Sequence, residues 1–132
     1  VNVLGATNTM AQLAAIAAFE DSSFIDEYNK KHDARRQYAF ELFNSIPGVS
    51  MLMPESGFLC WPNVSILGDS TEIMQYLIDE AKVACNDGKP YGEQGHGHLR
   101  IVIGCYWNDQ VCYDALNRIK LALMKRGGKL GI

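Results

Sequence analysis

Residues 92–101 read GEQGHGHLRI, a glycine-rich stretch that runs into an apolar segment carrying one arginine. The continuation LRIVIGC (residues 99–105) alternates in polarity and is rich in β-branched residues, which is typical of a strand. A glycine loop that binds a nucleotide needs a helix after it, because the helix N-terminus holds the phosphate, and the spacing here is not G-x-G-x-x-G. We therefore interpret the stretch as a loop that leads into an edge strand.

Two histidines in this stretch suggest a metal site. His96 and His98 lie two residues apart and can share one face of an extended segment. Two imidazoles make only half of a zinc site, and no third ligand is evident in the sequence. We therefore expect no metal centre.

Arg100 has two interpretations from the pattern alone. In a strand it shares one face with Val102 and Gly104, and the opposite face carries Leu99, Ile101 and Ile103. The arginine is then either an exposed charge at a sheet edge or a guanidinium held toward a partner anion. A guanidinium binds a carboxylate through two parallel hydrogen bonds, a geometry that lysine does not reproduce. The residues leave both interpretations open.

The length and composition indicate one globular domain over residues 1–132. Apolar residues make up 48% and charged residues 20%, which argues against disorder. The net charge of −3 and the absence of a long basic run argue against a nucleic-acid partner. No apolar run is long enough to span a membrane and no signal peptide is apparent, so we expect no membrane partner and a cytoplasmic location. In that compartment we expect reduced, buried thiols at Cys60, Cys85, Cys105 and Cys112, with a disulfide of unassigned connectivity as the alternative.

Apolar periodicity predicts four helices and four strands. The helices are predicted at residues 9–19 and 23–45, from Asp69 through Ala81, and from Asn108 or Asp109 to the pair Gly127-Gly128. The strands are predicted at residues 49–53, 58–61, 82–85 and 99–105. The order helix, helix, strand, strand, helix, strand, strand, helix indicates an α+β fold, with a small mixed or antiparallel sheet packed against helices.

Two helical segments carry specific expectations about burial. Residues 9–19 are apolar around nearly the whole circumference, so we expect this helix to be buried in a core or against a partner. Residues 30–36 form a charged run, which we interpret as the solvated middle of the second helix.

The ordered set of motifs resembles the C-terminal end of the class I/II aminotransferases, which are pyridoxal-phosphate (PLP) enzymes of fold type I. The similarity lies in PESGFLCWPN (residues 54–63), AKVACNDGKPYGEQGHGHLRI (residues 81–101) and DALNRIKLAL (residues 114–123). NTMAQLAAIAAFED (residues 8–21) is also similar to the family's helix between its large and small domains. Each motif alone is weak, but the ordered set is fairly specific and covers nearly the whole chain.

The resemblance implies roles for several residues. Arg100 corresponds to the family's arginine that binds the α-carboxylate of the amino-acid substrate. Gly57 falls where the family's backbone turns close to the active site, and Tyr91, with Gly92, falls in the loop that orders the small domain near the substrate. Trp61 is implied to be packing within the sheet. Two further positions, Thr7 and Asn8, fall where the family's chain passes near the partner subunit's active site.

The resemblance also implies what this chain does not supply. The family's cofactor-binding lysine lies upstream of the matching segments, as do the aspartate that pairs with the pyridine nitrogen and the phosphate-binding loop. None of the seven lysines here lies in the serine-containing context that the family uses. We therefore expect no catalytic, cofactor-binding or metal-binding residue in this chain, which would be the inactive C-terminal domain of a larger, homodimeric enzyme.

Three functions remain open. The first is an aminotransferase that moves an amino group between an amino acid and a 2-oxo acid through PLP held by the full-length parent. The second is a PLP-dependent carbon–sulfur β-lyase of the cystathionine β-lyase kind, because the same arginine serves both. The third is a free-standing, non-enzymatic binding module. The sequence does not give the preference for a substrate side chain.

Overall fold

The computed structural model describes residues 8–132. Over these residues it contains four α-helices and three short β-strands, which confirms the predicted α+β fold. The helices are α1 (Thr9–Glu20), α2 (Ser23–Asn44), α3 (Ser70–Ala81) and α4 (Asp109–Leu130). The strands are β1 (Leu59–Cys60), β2 (Asn86–Asp87) and β3 (Leu99–Val102). The chain divides into two compact units, Val1–Lys30 and Lys31–Ile132, and the boundary falls within α2.

Helix α1 belongs to the first unit. Its N-terminus is capped by Asn8, whose side-chain Oδ1 accepts hydrogen bonds from the backbone N–H groups of Met10 (2.8 Å) and Ala11 (3.3 Å). None of its residues is buried, and the phenyl group of Phe19 is almost fully exposed. The expectation that this helix is buried in a core of this chain is therefore wrong, whereas burial against a partner stays a prediction.

The charged run in α2 is only partly a solvated surface, since Lys30, Lys31 and Asp33 are exposed but two arginines are not. Arg35 is 1% exposed and Arg36 is 8% exposed, so the interpretation of residues 30–36 as a solvated middle is wrong for these two. Arg35 donates to three acceptors around the start of α4: its Nε to Asp109 Oδ1 (2.7 Å), its Nη1 to the Ile103 carbonyl (2.8 Å) and its Nη2 to the Tyr106 carbonyl (3.2 Å). Burial of the guanidinium is tolerated because each of these donors has a partner.

The three strands form one antiparallel sheet in the order β1-β3-β2. β3 is the central strand, so the prediction of an edge strand after the glycine-rich loop is wrong. Two predicted strands are not observed: residues 49–53 keep only an isolated bridge between Ser50 and Asn63, and residues 82–85 precede β2. Asn44 explains the first of these, because its side chain satisfies both the N–H and the carbonyl of Met51 at 3.1 and 3.0 Å in place of a strand partner.

Helices α3 and α4 begin where the sequence predicts. Asp69 caps α3 by accepting from the N–H of Thr71 (3.0 Å), and Asn108 caps α4 by accepting from the N–H of Val111 (2.8 Å). The predicted end of α4 at Gly127-Gly128 is wrong, because the helix continues to Leu130. The left-handed conformation that closes it is supplied by Gly131, with φ of 78°.

The core lies in the second unit and is built by the buried faces of α2, α3, α4 and β3. α3 and α4 pack against each other, and Tyr76 Oη donates to the Ala122 carbonyl at 3.2 Å between them. The fully buried side chains of this core include Phe43, Leu67, Ile73, Leu77, Leu99, Ile103, Leu116, Ile119 and Leu123. One face of the small sheet is thereby covered, and the opposite face is left for the candidate site.

Candidate functional site

Arg100 lies at the centre of the uncovered face of the sheet. Burial alternates along β3: Leu99 and Ile101 are buried, whereas Arg100 and Val102 are half-exposed, as the sequence predicts. The register pairs Arg100 with Asn86 on β2, and Cys60 of β1 with Ile101. Continuing that register by one residue places Trp61 beside Arg100 on the other side.

The Arg100 guanidinium is oriented by two neighbours. Its Nη1 donates to Asn86 Oδ1 at 3.2 Å, and its Cζ lies 5.7 Å from the centroid of the Tyr91 ring, within cation–π range. Neither neighbour carries a negative charge. The side chain is therefore held in place while most of its donors stay available.

Arg100 differs from every other arginine of the chain, all five of which lie within residues 8–132. The four others each pair with a carboxylate, in the pairs Arg35–Asp109, Arg36–Asp33, Arg118–Asp114 and Arg126–Glu72. Arg100 has no carboxylate within ion-pairing distance among the described residues. Within residues 8–132 the guanidinium is therefore left with donors that an anion could accept.

Aromatic rings extend the site away from Arg100. The Tyr91 ring meets the Trp61 ring edge-on, with centroids 5.6 Å apart, and the Trp61 ring stacks on the His98 ring at 5.8 Å. Trp61 and His98 also line a cavity of about 450 Å³ together with Leu52, Met53 and other residues of 50–63. The resemblance implies that Trp61 is packing within the sheet, but it lies on the uncovered face and contacts Tyr91. Sequence reasoning missed Asn86, Trp61 and His98 as neighbours of the site, because only the strand register brings them together.

The glycine-rich loop folds closely against itself. A Cβ atom on Gly88 or Gly95 would overlap the backbone carbonyl of the other, and Gly97 adopts φ of 74°. Two short 3₁₀ turns, Lys89–Tyr91 and Glu93–Gly95, connect these points. The glycines therefore allow tight backbone packing that carries Tyr91 to Arg100.

Gly57 does not contact this cluster. It adopts φ of 77° in the turn before β1, and its carbonyl accepts a hydrogen bond of 2.5 Å from Arg36 Nη1. No atom within 4 Å would meet a Cβ at this position, so the glycine is required by its conformation and not by crowding. Thr7 lies outside the described residues, and Asn8 serves as the cap of α1.

Over residues 8–132 the structure shows neither a cluster of metal ligands nor a membrane-spanning helix. In this part of the chain no group of three or more His, Cys, Asp or Glu side chains is arranged to hold a metal ion. His98 Nδ1 lies 3.0 Å from the carbonyl oxygen of His96. Across the same residues no helix has the length and apolar character needed to cross a bilayer.

The lysines of this chain do not fit a covalent PLP site. A lysine that forms an imine needs a desolvated setting that lowers its pKa. Here hydrogen bonds that the lysines donate to carboxylates do the opposite: the bond to Asp69 raises the pKa of Lys89, and the bond to Glu80 raises the pKa of Lys125. Lys120 donates to Ser45 Oγ at 2.8 Å, and the other four lysines are exposed.

Comparison with known proteins gives consistent matches. Residues 2–119 match the model of the family "Aminotransferase class I and II". The chain is 29% identical over 125 residues to an aspartate aminotransferase of Pyrococcus horikoshii, covering 92% of this chain and 32% of that protein. It is 34% identical over 127 residues to the cystathionine beta-lyase PatB of Bacillus subtilis, again covering 92% of this chain and 32% of the relative.

A solved structure shows the same fold. A PLP-bound protein from Clostridium difficile 630, assigned as an aminotransferase, superposes with a TM-score of 0.80 at 27% identity, covering 91% of this chain and 31% of that one. The chain thus spans about a third of the length of the proteins it matches. The family match extends from residue 2 into α4 and includes β3 with Arg100, so the chain belongs to the class I and II aminotransferase family.

Proposed function

We propose that the full-length protein containing this chain is a PLP-dependent aminotransferase, which transfers an amino group between an amino acid and a 2-oxo acid. In this proposal residues 1–132 form its small C-terminal domain, and Arg100 binds the α-carboxylate of the substrate. One observation carries the proposal: Arg100 is held on the uncovered face of the sheet with no carboxylate partner among the described residues. Membership of the family supports the same function.

The surroundings of Arg100 suit carboxylate binding. A guanidinium held by one hydrogen bond and one ring face keeps a pair of parallel N–H donors for the two oxygens of a carboxylate. The Asn86 amide oxygen accepts from one N–H group of the guanidinium, and the Tyr91 ring covers one face of it. The Arg100 side chain is thereby restricted before the substrate binds, so binding costs less conformational entropy. Binding the carboxylate in one orientation positions the substrate's α-carbon for reaction.

Gly57 and Tyr91 have different parts in this proposal. Tyr91 contacts Arg100 directly and belongs to the substrate-binding group. Gly57 contributes a backbone turn before β1. Its left-handed conformation favours glycine, so no side chain is present at this position. Its approach to a substrate rests on the family resemblance alone.

The cofactor is proposed to be held elsewhere in the full-length protein. PLP, when bound, serves as an electron sink that makes bonds at the substrate's α-carbon labile. Lys89 and Lys125 are held charged by carboxylates, Lys120 donates to Ser45 Oγ, and the other four lysines lie exposed, so none of them fits the covalent attachment. We therefore propose that residues 1–132 alone bind no PLP and have no catalytic activity.

The proposed partners are the enzyme's own large domain and a second copy of the enzyme. Met10, Leu13, Ile16 and Phe19 of α1 are all exposed, and such side chains are suited to cover by another protein surface. The arrangement we propose is a homodimer in the cytoplasm that acts on a small-molecule amino-acid substrate and has no nucleic-acid or membrane partner.

A carbon–sulfur β-lyase is the second candidate. The 34% identity to the cystathionine beta-lyase PatB favours it, and Arg100 would bind a carboxylate in the same way. The two functions differ in their products. We expect the full-length protein, supplied with PLP and an amino acid, to need an added 2-oxo acid for turnover. Release of pyruvate and ammonia from cystathionine without an added 2-oxo acid would show a lyase instead.

A further inference from the structure

Three polar side chains at the start of α3 are joined to two others in the segment that carries Asn86 and Tyr91. We call this set the polar network; it consists of Asp69, Ser70, Thr71, Asp87 and Lys89. Asp87 is its centre: its Oδ1 accepts from Ser70 Oγ at 2.7 Å, and its Oδ2 accepts from Thr71 Oγ1 at 2.5 Å. Lys89 Nζ closes the network, donating to Asp69 Oδ2 at 2.5 Å and to Thr71 Oγ1 at 3.0 Å.

The polar network fixes the backbone between the two groups that touch Arg100. Asp87 directly follows Asn86, and its Oδ1 also accepts from the backbone N–H of Lys89 at 3.1 Å. The Lys89 carbonyl in turn accepts from the N–H of Gly92 at 3.2 Å, which encloses Tyr91 within the turn. Asn86 lies at one end of this bonded segment and Tyr91 near the other, so both depend on the same anchor.

The charges of the polar network keep it intact at neutral pH. The hydrogen bond from Lys89 lowers the pKa of Asp69 to about 2, and the same bond raises the pKa of Lys89. Partial burial by itself would raise the pKa of Asp87, but hydrogen bonds from Thr71, Ser70 and the Lys89 N–H, together with the Lys89 charge, outweigh it and lower the pKa. The carboxylates therefore remain acceptors, and the ammonium remains a donor.

We infer that Asp87 and Thr71 are positioning residues for substrate binding, because they hold Asn86 and Tyr91 where these two orient the Arg100 guanidinium. The inference rests on the proposed function, in which Arg100 binds the substrate carboxylate. Asp87 and Thr71 touch neither substrate nor cofactor. They act through Arg100, so their loss weakens binding of the carboxylate and leaves the chemical step nearly unchanged.

The side-chain chemistry identifies the variants to use. Asp87→Asn keeps the shape of the side chain but removes its charge. The hydroxyls of Ser70 and Thr71, which donate to Asp87 in the wild type, would then face either the amide N–H₂ group or the weaker amide oxygen acceptor. Thr71→Val keeps the shape and removes the hydroxyl, whereas Thr71→Ser retains it. Asp79→Asn is the matched control, because Asp79 is an exposed aspartate of α3 outside the polar network, and its Oδ1 accepts a hydrogen bond from Gln75 Nε2 at 3.3 Å.

The test is steady-state kinetics on the full-length protein, combined with near-ultraviolet circular dichroism of the Trp61–Tyr91 pair. We expect Asp87→Asn and Thr71→Val to raise KM for the amino acid by roughly three- to tenfold, with a smaller change in kcat. They should also alter the near-ultraviolet spectrum. Asp79→Asn should match the wild type in both, and Thr71→Ser should restore most of the wild-type KM.

A double variant separates positioning from general damage. In an Arg100→Lys background, Thr71→Val should add little to KM, because both changes act through the same guanidinium. Full additivity, or a KM and spectrum unchanged in Asp87→Asn and Thr71→Val, would overturn the inference. If the wild-type protein lacks activity, the proposed function fails, and the spectrum still decides whether the polar network holds Tyr91 against Trp61.

Discussion

Replacement of Arg35 by methionine should strongly lower the free energy of unfolding, although the residue lies in a run of charged residues that is typical of a protein surface. The guanidinium is 1% exposed and donates to Asp109 and to the carbonyls of Ile103 and Tyr106. Methionine fills a similar volume but donates nothing, so two partly or fully buried carbonyls lose their charged donor. The thiol of Cys112, 3.7 Å from the Ile103 oxygen, is only a weak substitute.

The size of the effect follows from these contacts. Each buried acceptor left without its donor costs about 1–3 kcal/mol. The Asp109 side chain is 43% exposed, so water replaces part of what it loses. The sum is about 3–5 kcal/mol for Arg35→Met, within the range for breaking a buried ion pair. Arg35→Lys keeps the charge but reaches fewer acceptors, so about 2 kcal/mol is expected, and Asp109→Asn should cost about 1 kcal/mol or less.

Urea denaturation followed by far-ultraviolet circular dichroism measures these differences. The control is Lys125→Met, which removes an exposed lysine that pairs with Glu80 at the surface. We expect the order Arg35→Met, Arg35→Lys, Asp109→Asn, with Lys125→Met close to wild type. An Arg35→Met variant as stable as Lys125→Met would refute the reasoning, because the three hydrogen bonds would then contribute nothing.

Three other predictions concern stability and reactivity. Gly95→Ala should lower Tm, because the added Cβ would overlap the backbone of Gly88. In Gly128→Ala the added Cβ meets no atom within 4 Å, so this change in α4 should raise the free energy of unfolding by about 0.5–1 kcal/mol. Thermal melts of the two variants check this, and equal shifts in Tm would contradict it. The pKa of Asp69 falls from 3.8 to about 2 on folding, so the stability that its carboxylate contributes is present above about pH 4 and is lost as the pH falls toward 2. The Tm values of wild type and Lys89→Met, measured across this window, should converge at low pH. Parallel curves would count against this contribution. Burial raises the pKa of Cys60 to about 12 and that of Cys112 to about 11. A thiol reagent at neutral pH should therefore label the exposed Cys105 first, and label Cys60 and Cys112 only after unfolding. Fast labelling of Cys60 in the native chain would show that the core is open.

Local sequence signals predicted the parts of this fold that depend on local chemistry. The alternation along β3 identified the buried and exposed faces, and Asp69 and Asn108 marked helix starts, because caps and pleats act over a few residues. Arg100 was located on the correct face in the same way. Its role is a proposal that the resemblance suggested, and the structure supplies its neighbours.

Features that depend on distant partners could not be predicted. The burial of Arg35 requires an aspartate 74 positions away, which no local pattern reveals. Trp61 lies beside Tyr91 only because of the strand register, and a shift of one residue would turn it to the other face. The helix continues through Gly127 because this glycine packs near Leu67 and Gly131 takes the left-handed cap.

Binding of the substrate carboxylate by Arg100 can be tested through the kinetics of an Arg100→Lys variant of the full-length protein. The variant keeps the positive charge but loses the paired donors. KM should be measured for an amino acid, and binding should be measured for its decarboxylated amine, which lacks the carboxylate. We predict that KM for the amino acid rises by about tenfold or more, while affinity for the amine is unchanged. An unchanged KM for the amino acid, or an equal loss for both compounds, would contradict the assignment of Arg100.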